Sequence, residues 1–501
     1  MLITPAFPLL FGARLAAAQL WAQGEQQPLQ APTPCQLLAA TFPDSVAKFH
    51  DKQYNQSQSS YWSAQQAALQ PSCRFYPRGS REIQEALADI LLPYNATIAI
   101  TSGGRSSNNG ASNVQDGITI DMSRFNFTYV NDDDQTVALG VGARWRDVYQ
   151  TLAKHNLTVA GSRIADDAVG GHVLGGGLPW SANEHGWTCD GMLELQVVTP
   201  QGQILWASKH WNEDLLWAGR GSLGAFGIVT EIKLPTNKTR KMYGGITTHA
   251  PEHAPLLFEA LHAAAANARN EPAQSAYLSF GRLPGKKGWT YRTHLLNTEP
   301  QKQSTALDMF LQIPSRNSTL RAATILDITT ENANHTKPGL RRSKFTLTAK
   351  SSVHTMQILH DLIKAHTKKI VFKGDRRKPQ ILATYDPITV PHLQAGSLQT
   401  NIFDLSPTDG PLLLITVEFS WHSIFRDDYF AQEARKMRLA MQQQLSSLRA
   451  LHRFVYPEYA PQDQDLSEGL SSYTNGMLRE VRKRYDPDEL WGRYVPGVWH
   501  V

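Results

Sequence analysis

Three clusters of small residues carry the clearest chemistry in this chain: Ser102-Gly103-Gly104-Arg105-Ser106-Ser107, Gly170–Gly177 (GGHVLGGG) and Gly219–Gly227. Glycine admits positive φ and close backbone approach, and successive backbone N–H groups form a concavity for anions. Each cluster alone reads as a tight turn, whereas together they suit a dinucleotide. Gly219-Arg220-Gly221-Ser222-Leu223-Gly224 fits G-x-G-x-x-G, yet the residues before it read as helix and Ile228–Ile232 after it as strand. That order is the reverse of the one that aims a helix N-terminus at a pyrophosphate, so a Rossmann site is disfavoured. Proton-transfer candidates lie elsewhere. Tyr456, Glu458 and Tyr459 sit in FVYPEYA, and Glu418 in ITVEFSW. The phenols could abstract or relay a proton if a nearby cation lowers their pKa, and in a strand Glu458 would turn the same way as Tyr456, either to reach a bound ring or to stand as a solvated carboxylate, the more ordinary reading. Alternation puts Glu418 on one strand face with Thr416 and Ser420, as a base or simply as part of a polar sheet face. His172, set among glycines, could hydrogen-bond a bound group or pack. Three cysteines without C-x-x-C, and no H-E-x-x-H, leave no structural metal to expect.

The elements that must position these residues fall into two textures. In the first half, Ser80 is the expected N-cap of a helix over 81–92, Thr97–Ile100 a short strand before the first small-residue cluster, and Gly117–Met122 a half-buried strand. A helix is expected near Arg144–Lys154. From about 242 to 450, amphipathic helices (256–268, 355–366, 429–448) alternate with strands (276–280, 289–295, 412–419), an α+β domain with a helix-covered sheet. The last fifty residues revert to the aromatic, Gly/Pro-punctuated style of the first half and are expected to pack on it. The boundaries read as 1–24, 25–66, 67–238, 239–450 and 451–501.

With 501 residues, 41% hydrophobic and 19% charged, the chain is an ordinary globular protein of more than one domain. A net charge of +5 is too small and too dispersed to indicate nucleic-acid binding. Residues 1–24 read as a signal peptide with Ala16-Ala17-Ala18 as the cleavage site. Sequons at Asn55, Asn95, Asn126, Asn156, Asn237, Asn317 and Asn334 agree with export. Cys35 and Cys73, if bridged, would close a loop of about 38 residues, leaving Cys189 as a small buried hydrophobe. No other apolar run approaches a membrane span. The expectation is a secreted, monomeric glycoprotein.

Thr101–Asn126, Val169–Gly202, Asp214–Leu234 and Tyr485–Gly497 resemble the FAD-binding PCMH-type fold shared by vanillyl-alcohol oxidase and berberine bridge enzyme-like proteins, and the cysteine spacing resembles the N-terminal disulfide of the secreted fungal branch. The resemblance implies that Ser102, Gly103, Gly104, Ser106 and Ser107 cradle the pyrophosphate. Gly170, Gly171, His172 and the turn Gly175-Gly176-Gly177 would run along the flavin, and Gly227, Ile228 and Val229 near the adenosine. Tyr456 and Tyr459 would line the isoalloxazine. Three departures stand out: Arg105 replaces the histidine that bonds the flavin, Arg163 stands roughly where some members have a second attachment cysteine, and Glu458 replaces an Asn. A dissociable FAD is therefore expected, with Arg105 pairing with phosphate oxygens. The implied activity is oxidation or oxidative cyclisation of a small natural product, with hydride transfer to flavin N5 and reoxidation by oxygen. The alternatives are a carbohydrate oxidase, or a redox-silent pericyclase or binding scaffold on the same fold.

Overall fold

The computed structural model describes residues 32–133, 135–282, 288–299, 305–334, 338–370, 379–396 and 400–499. The expected leader, with Ala16–Ala18, lies outside them.

In the first half two sheets and the helices around them share one hydrophobic core. Cys73–Phe75, Ile118–Asp121 and Ile98–Thr101 run parallel, with Val46–Lys48 antiparallel on the outer edge. Ile118–Asp121 is an inner strand and all of it is buried, which corrects the half-buried reading. Its two polar residues are hidden as well: Thr119 donates to the buried Asn113 at 2.8 Å, and Asp121 pairs with Arg74. The second sheet is antiparallel and joins Thr128–Val130, Thr136–Gly140, Ile228–Pro235, Glu194–Val198 and Ile204–Ser208 in that order. Trp145–Ala153 is the expected helix, burying Trp145, Val148, Tyr149 and Leu152. The helix expected over 81–92 starts at Ser80 itself, after Gly79, and continues from Ala86 to Leu91 as wider π-type turns. Ser80 does not cap it, because its hydroxyl is bonded to Gln196 and Thr230 of the second sheet.

The middle of the chain is a nine-stranded antiparallel sheet. Strands Arg341–Lys350, Gln380–Ile388 and Leu412–Trp421 are covered on both faces. Phe345, Leu347, Ile381, Ala383, Ile415, Val417 and Phe419 enter a second core with residues of helices Ala254–Asn267, Val353–Lys369 and Asp427–Ser447. The other face of the sheet, with Arg342, Lys344, Asp386 and Glu418, is turned to the first body, where Arg163 pairs with Asp386 at 2.6 Å. This matches the expected α+β class and helix-covered antiparallel sheet.

The C-terminal segment crosses back. Leu478, Val481, Tyr485, Trp491, Tyr494 and Val495 join the first core, and Tyr494 Oη donates to Asn95 at 2.7 Å. Cys35 and Cys73 form a disulfide, while Cys189 is buried and free. Among the described residues no helix is long and apolar enough to cross a membrane. Six of the sequon asparagines are exposed, and Asn237 is half-buried.

Candidate active site

A cleft runs across the first body. It encloses about 240 Å³, or about 1240 Å³ counting its open mouth. Its walls come mainly from five stretches far apart in sequence: Ser102–Ser106, Asp167 and Ala168 with Gly170–His172, Gly227–Val229, Pro457 and Glu458, and Gly497 and Val498. From the sheet of the second body Lys344 alone reaches it among the described residues.

The loop at Ser102 is held from below. Gly104 adopts φ +63°, and a Cβ there would come within 2.9 Å of the Tyr61 ring. Tyr61 donates to the carbonyl of Ser112 at 2.6 Å and receives a bond from the fully buried Arg74 at 2.8 Å. Arg74 also pairs with Asp121 at 3.2 Å, so the buried charge is matched by a carboxylate and by hydrogen bonds. Arg144 closes the other side by donating to the carbonyls of Gly103 and Asp166 at 3.2 and 2.9 Å.

The second cluster is not simply a turn. Val169–Leu174 is a short helix, and Gly176 and Gly177 (φ +111° and +76°) make the turn after it. Gly171 is exposed and a Cβ built on it meets nothing within 4 Å, so this lining position is shaped for a group that approaches the backbone closely. Gly175, Gly176 and Gly177 do not line the cleft. Their Cβ positions fall against Leu223 and Glu458, Phe403 and Tyr456, and His172 and Thr188, so they serve packing. Ser107 is likewise off the wall, whereas Gly227, Ile228 and Val229 are on it.

At one end the cleft meets a charged cluster. Arg105 Nε lies 3.2 Å from Asp167 Oδ1. Asp167 Oδ2 accepts from Ser162 at 2.9 Å, and His172 Nδ1 is 3.7 Å from Glu458 Oε2. Ligand atoms of Asp167, His172 and Glu458 all lie within 4.8 Å of one another, a grouping their scattered positions in sequence concealed. Arg105 and Lys344 flank this acidic pair and balance its charge. Lys344 Nζ donates to the Glu458 carbonyl at 3.2 Å and sits 4.7 Å from the centre of the Tyr459 ring. Burial lowers its pKa, against the opposing pull of Glu458 and Glu418. Sequence reasoning missed Lys344, Asp167 and Arg144. Only the alternation of Arg342, Lys344 and Thr346 on a polar sheet face signalled the first.

The proton-transfer candidates separate sharply. Tyr456-Pro457-Glu458-Tyr459 is a tight 3-10 turn and not a strand, because Pro457 starts the turn. The turn still brings Tyr456 Oη to Glu458 Oε2, where it donates at 2.7 Å, while the Gly177 amide donates to the same hydroxyl at 3.1 Å. Burial, then Glu458, pushes the Tyr456 phenol well above its usual range, and Tyr459 shifts the same way for the same reasons. The cation-lowered phenol expected from sequence is therefore corrected: burial and Glu458 move both phenols the other way, and neither lines the cleft. Glu458 does line it. Burial would raise its pKa, but hydrogen bonding and charge from His172, with Tyr456 and Lys344, hold it below the usual carboxylate range. Glu418 is an ion-pair partner of Arg342, accepts from Ser420 at 2.8 Å, and lies outside the cleft wall. Arg163 is committed to Asp386 and to the Pro179 carbonyl and packs over Trp180 and Tyr277.

Residues 71–208 match the FAD binding domain family. An FAD-dependent monooxygenase, tpcD, of Cochliobolus heterostrophus is 29% identical over 486 residues, covering 92% of this chain and 93% of the relative. In fold the chain is similar to a berberine bridge enzyme variant in complex with (S)-reticuline (TM-score 0.73, 14% identity, 93% and 99% of the two chains). It is also similar to the glucooligosaccharide oxidase of Acremonium strictum, whose FAD is 6-S-cysteinyl, 8α-N1-histidyl (TM-score 0.71, 18% identity, 91% and 98%). The small-residue loop, the open strip at Gly171 and the returning C-terminal segment thus form one cleft in a chain that carries an FAD binding domain over residues 71–208 and shares its fold with the berberine bridge enzyme and the glucooligosaccharide oxidase.

Proposed function

We propose that the chain oxidises, or oxidatively cyclises, a small natural product with an FAD held by contacts alone, and that Glu458 is the base. When bound, FAD would accept a hydride at N5 and pass the electrons on to oxygen. The residues that would hold it are Ser102–Gly104 and Ser106 at the pyrophosphate, Gly170 and Gly171 along the ring system, and Gly227–Val229 at the adenosine, while Arg105, expected at the phosphates, is turned to Asp167. The carrying observation is Glu458: a carboxylate in the wall of the cleft, held in place by Tyr456 at 2.7 Å and kept ionised by His172 and Lys344. It can take a proton from substrate, with His172 and Lys344 placed against it on either side. Arg105 and Arg163 carry no nucleophile that could bond a flavin. Both are occupied by carboxylates, which supports a dissociable cofactor. The sequons and the disulfide support a secreted protein.

The name of the relative from Cochliobolus heterostrophus favours a second reading, insertion of an oxygen atom. Turnover under isotopically labelled oxygen separates the two. Label appearing in hydrogen peroxide with none in product supports oxidation, and label in product supports insertion. Substrate conversion without oxygen uptake would leave only the redox-silent alternative.

A further inference from the structure

A second cavity, of about 320 Å³ enclosed, lies at the seam between the first body and the nine-stranded sheet and shares no lining residue with the cofactor cleft. Its size falls in the range of small-molecule sites, and such sites favour domain seams. The floor is a small apolar cluster of Trp180, Met242 and Leu296 that belongs to neither main core. The indole N–H of Trp180 is buried without an acceptor. Of the charged groups on the rim, Arg240 pairs with Glu299 at 3.0 Å and Glu184 accepts from Thr298 at 3.3 Å. Lys238 stands apart from both. It is exposed at the rim and has no carboxylate partner among the described residues.

An apolar slot floored by an indole with one uncommitted cation at its mouth selects a particular ligand chemistry. We propose that this cavity binds a flat, mainly apolar molecule bearing a single anionic group, a carboxylate or phenolate, that meets Lys238. The site is separate from the cofactor cleft and its occupancy does not depend on the redox reading. The Trp180 ring also carries Arg163, whose guanidinium lies 5.2 Å from the ring centre. A bound molecule is therefore one side chain away from the Arg163–Asp386 pair.

The test is calorimetric titration of enzymatically deglycosylated holoprotein, since Asn237 on the rim is a sequon, with naphthoate and with its neutral analogue naphthylmethanol. Flavin content is recorded for every sample. Wild type should bind one naphthoate per chain. Lys238→Glu should weaken naphthoate by about tenfold, the scale of converting one attractive surface pair to a repulsive one, and change naphthylmethanol by less than about twofold. Leu296→Trp should abolish binding of both by filling the floor, and Ser181→Trp, at the half-buried rim, should do the same if the first variant fails to fold. Absence of naphthoate binding at about 1 mM, corresponding to about −4 kcal/mol, would overturn the proposal. So would binding that survives both tryptophan variants, or equal weakening of the two probes by Lys238→Glu. If flavin content is normal while naphthoate fails to bind, the seam site falls and the flavoenzyme reading stands. Saturable naphthoate binding by flavin-free protein separates the two in the other direction.

Discussion

At the scale of the residue, Glu458 is the position on which the account turns. Glu458→Gln should lower turnover by about 10²–10⁴-fold, the usual contribution of a positioned base, while flavin content stays at the wild-type level. The pH dependence has a definite sign. The folded-state pKa of Glu458 is below the ordinary value, so its base form and its share of stability are fully present above the unfolded carboxylate range and disappear as pH falls through the lower, folded value. From this group kcat/KM should be flat through neutral pH and decline only on strong acidification. An acid limb centred near neutrality would assign the base elsewhere. Tyr456→Phe removes the donor that fixes Glu458 and strands the buried Gly177 amide, and should cost about 1–3 kcal/mol in denaturant unfolding. The Tyr456 and Glu458 pairing was legible because both residues lie in one short segment. Asp167, Lys344 and Arg144 were not, since three unrelated elements deliver them and no spacing in the chain links them.

Among the elements, the short helix Val169–Leu174 and the loop before it decide whether the cleft accepts a cofactor. Gly171→Leu places a side chain where nothing now stands. The protein should keep its thermal midpoint and lose flavin in proportion. Unchanged flavin content in a folded Gly171→Leu protein would remove this strip from the binding surface. Helices and strands with strong periodicity, such as Trp145–Ala153 and the three helices over the large sheet, were readable from sequence because one face buries apolar residues in a regular rhythm. What escaped was local and tertiary in origin. Ser80 gave up capping to bond the neighbouring sheet, Thr119 was drawn inward by Asn113, and Pro457 turned an expected strand into a tight turn.

For the whole molecule, one core is assembled from both ends of the chain, and the cleft depends on that closure. The Cys35–Cys73 disulfide spans 38 residues and ties the helix Pro34–Thr41 to the parallel sheet. Replacing both cysteines with serine should cost about 4 kcal/mol of unfolding free energy in the chain-entropy model, seen as a lower thermal midpoint with the flavin spectrum retained. Loss of the cofactor would instead show that the bridge shapes the cleft. The measurement that bears most directly on the central claim is the visible spectrum of the purified protein before and after acid precipitation. The account predicts a yellow protein whose flavin moves entirely to the supernatant. Colour retained in the pellet would establish a covalent link despite Arg105 and Arg163, and a colourless protein that takes up no added FAD would contradict the flavoenzyme reading itself.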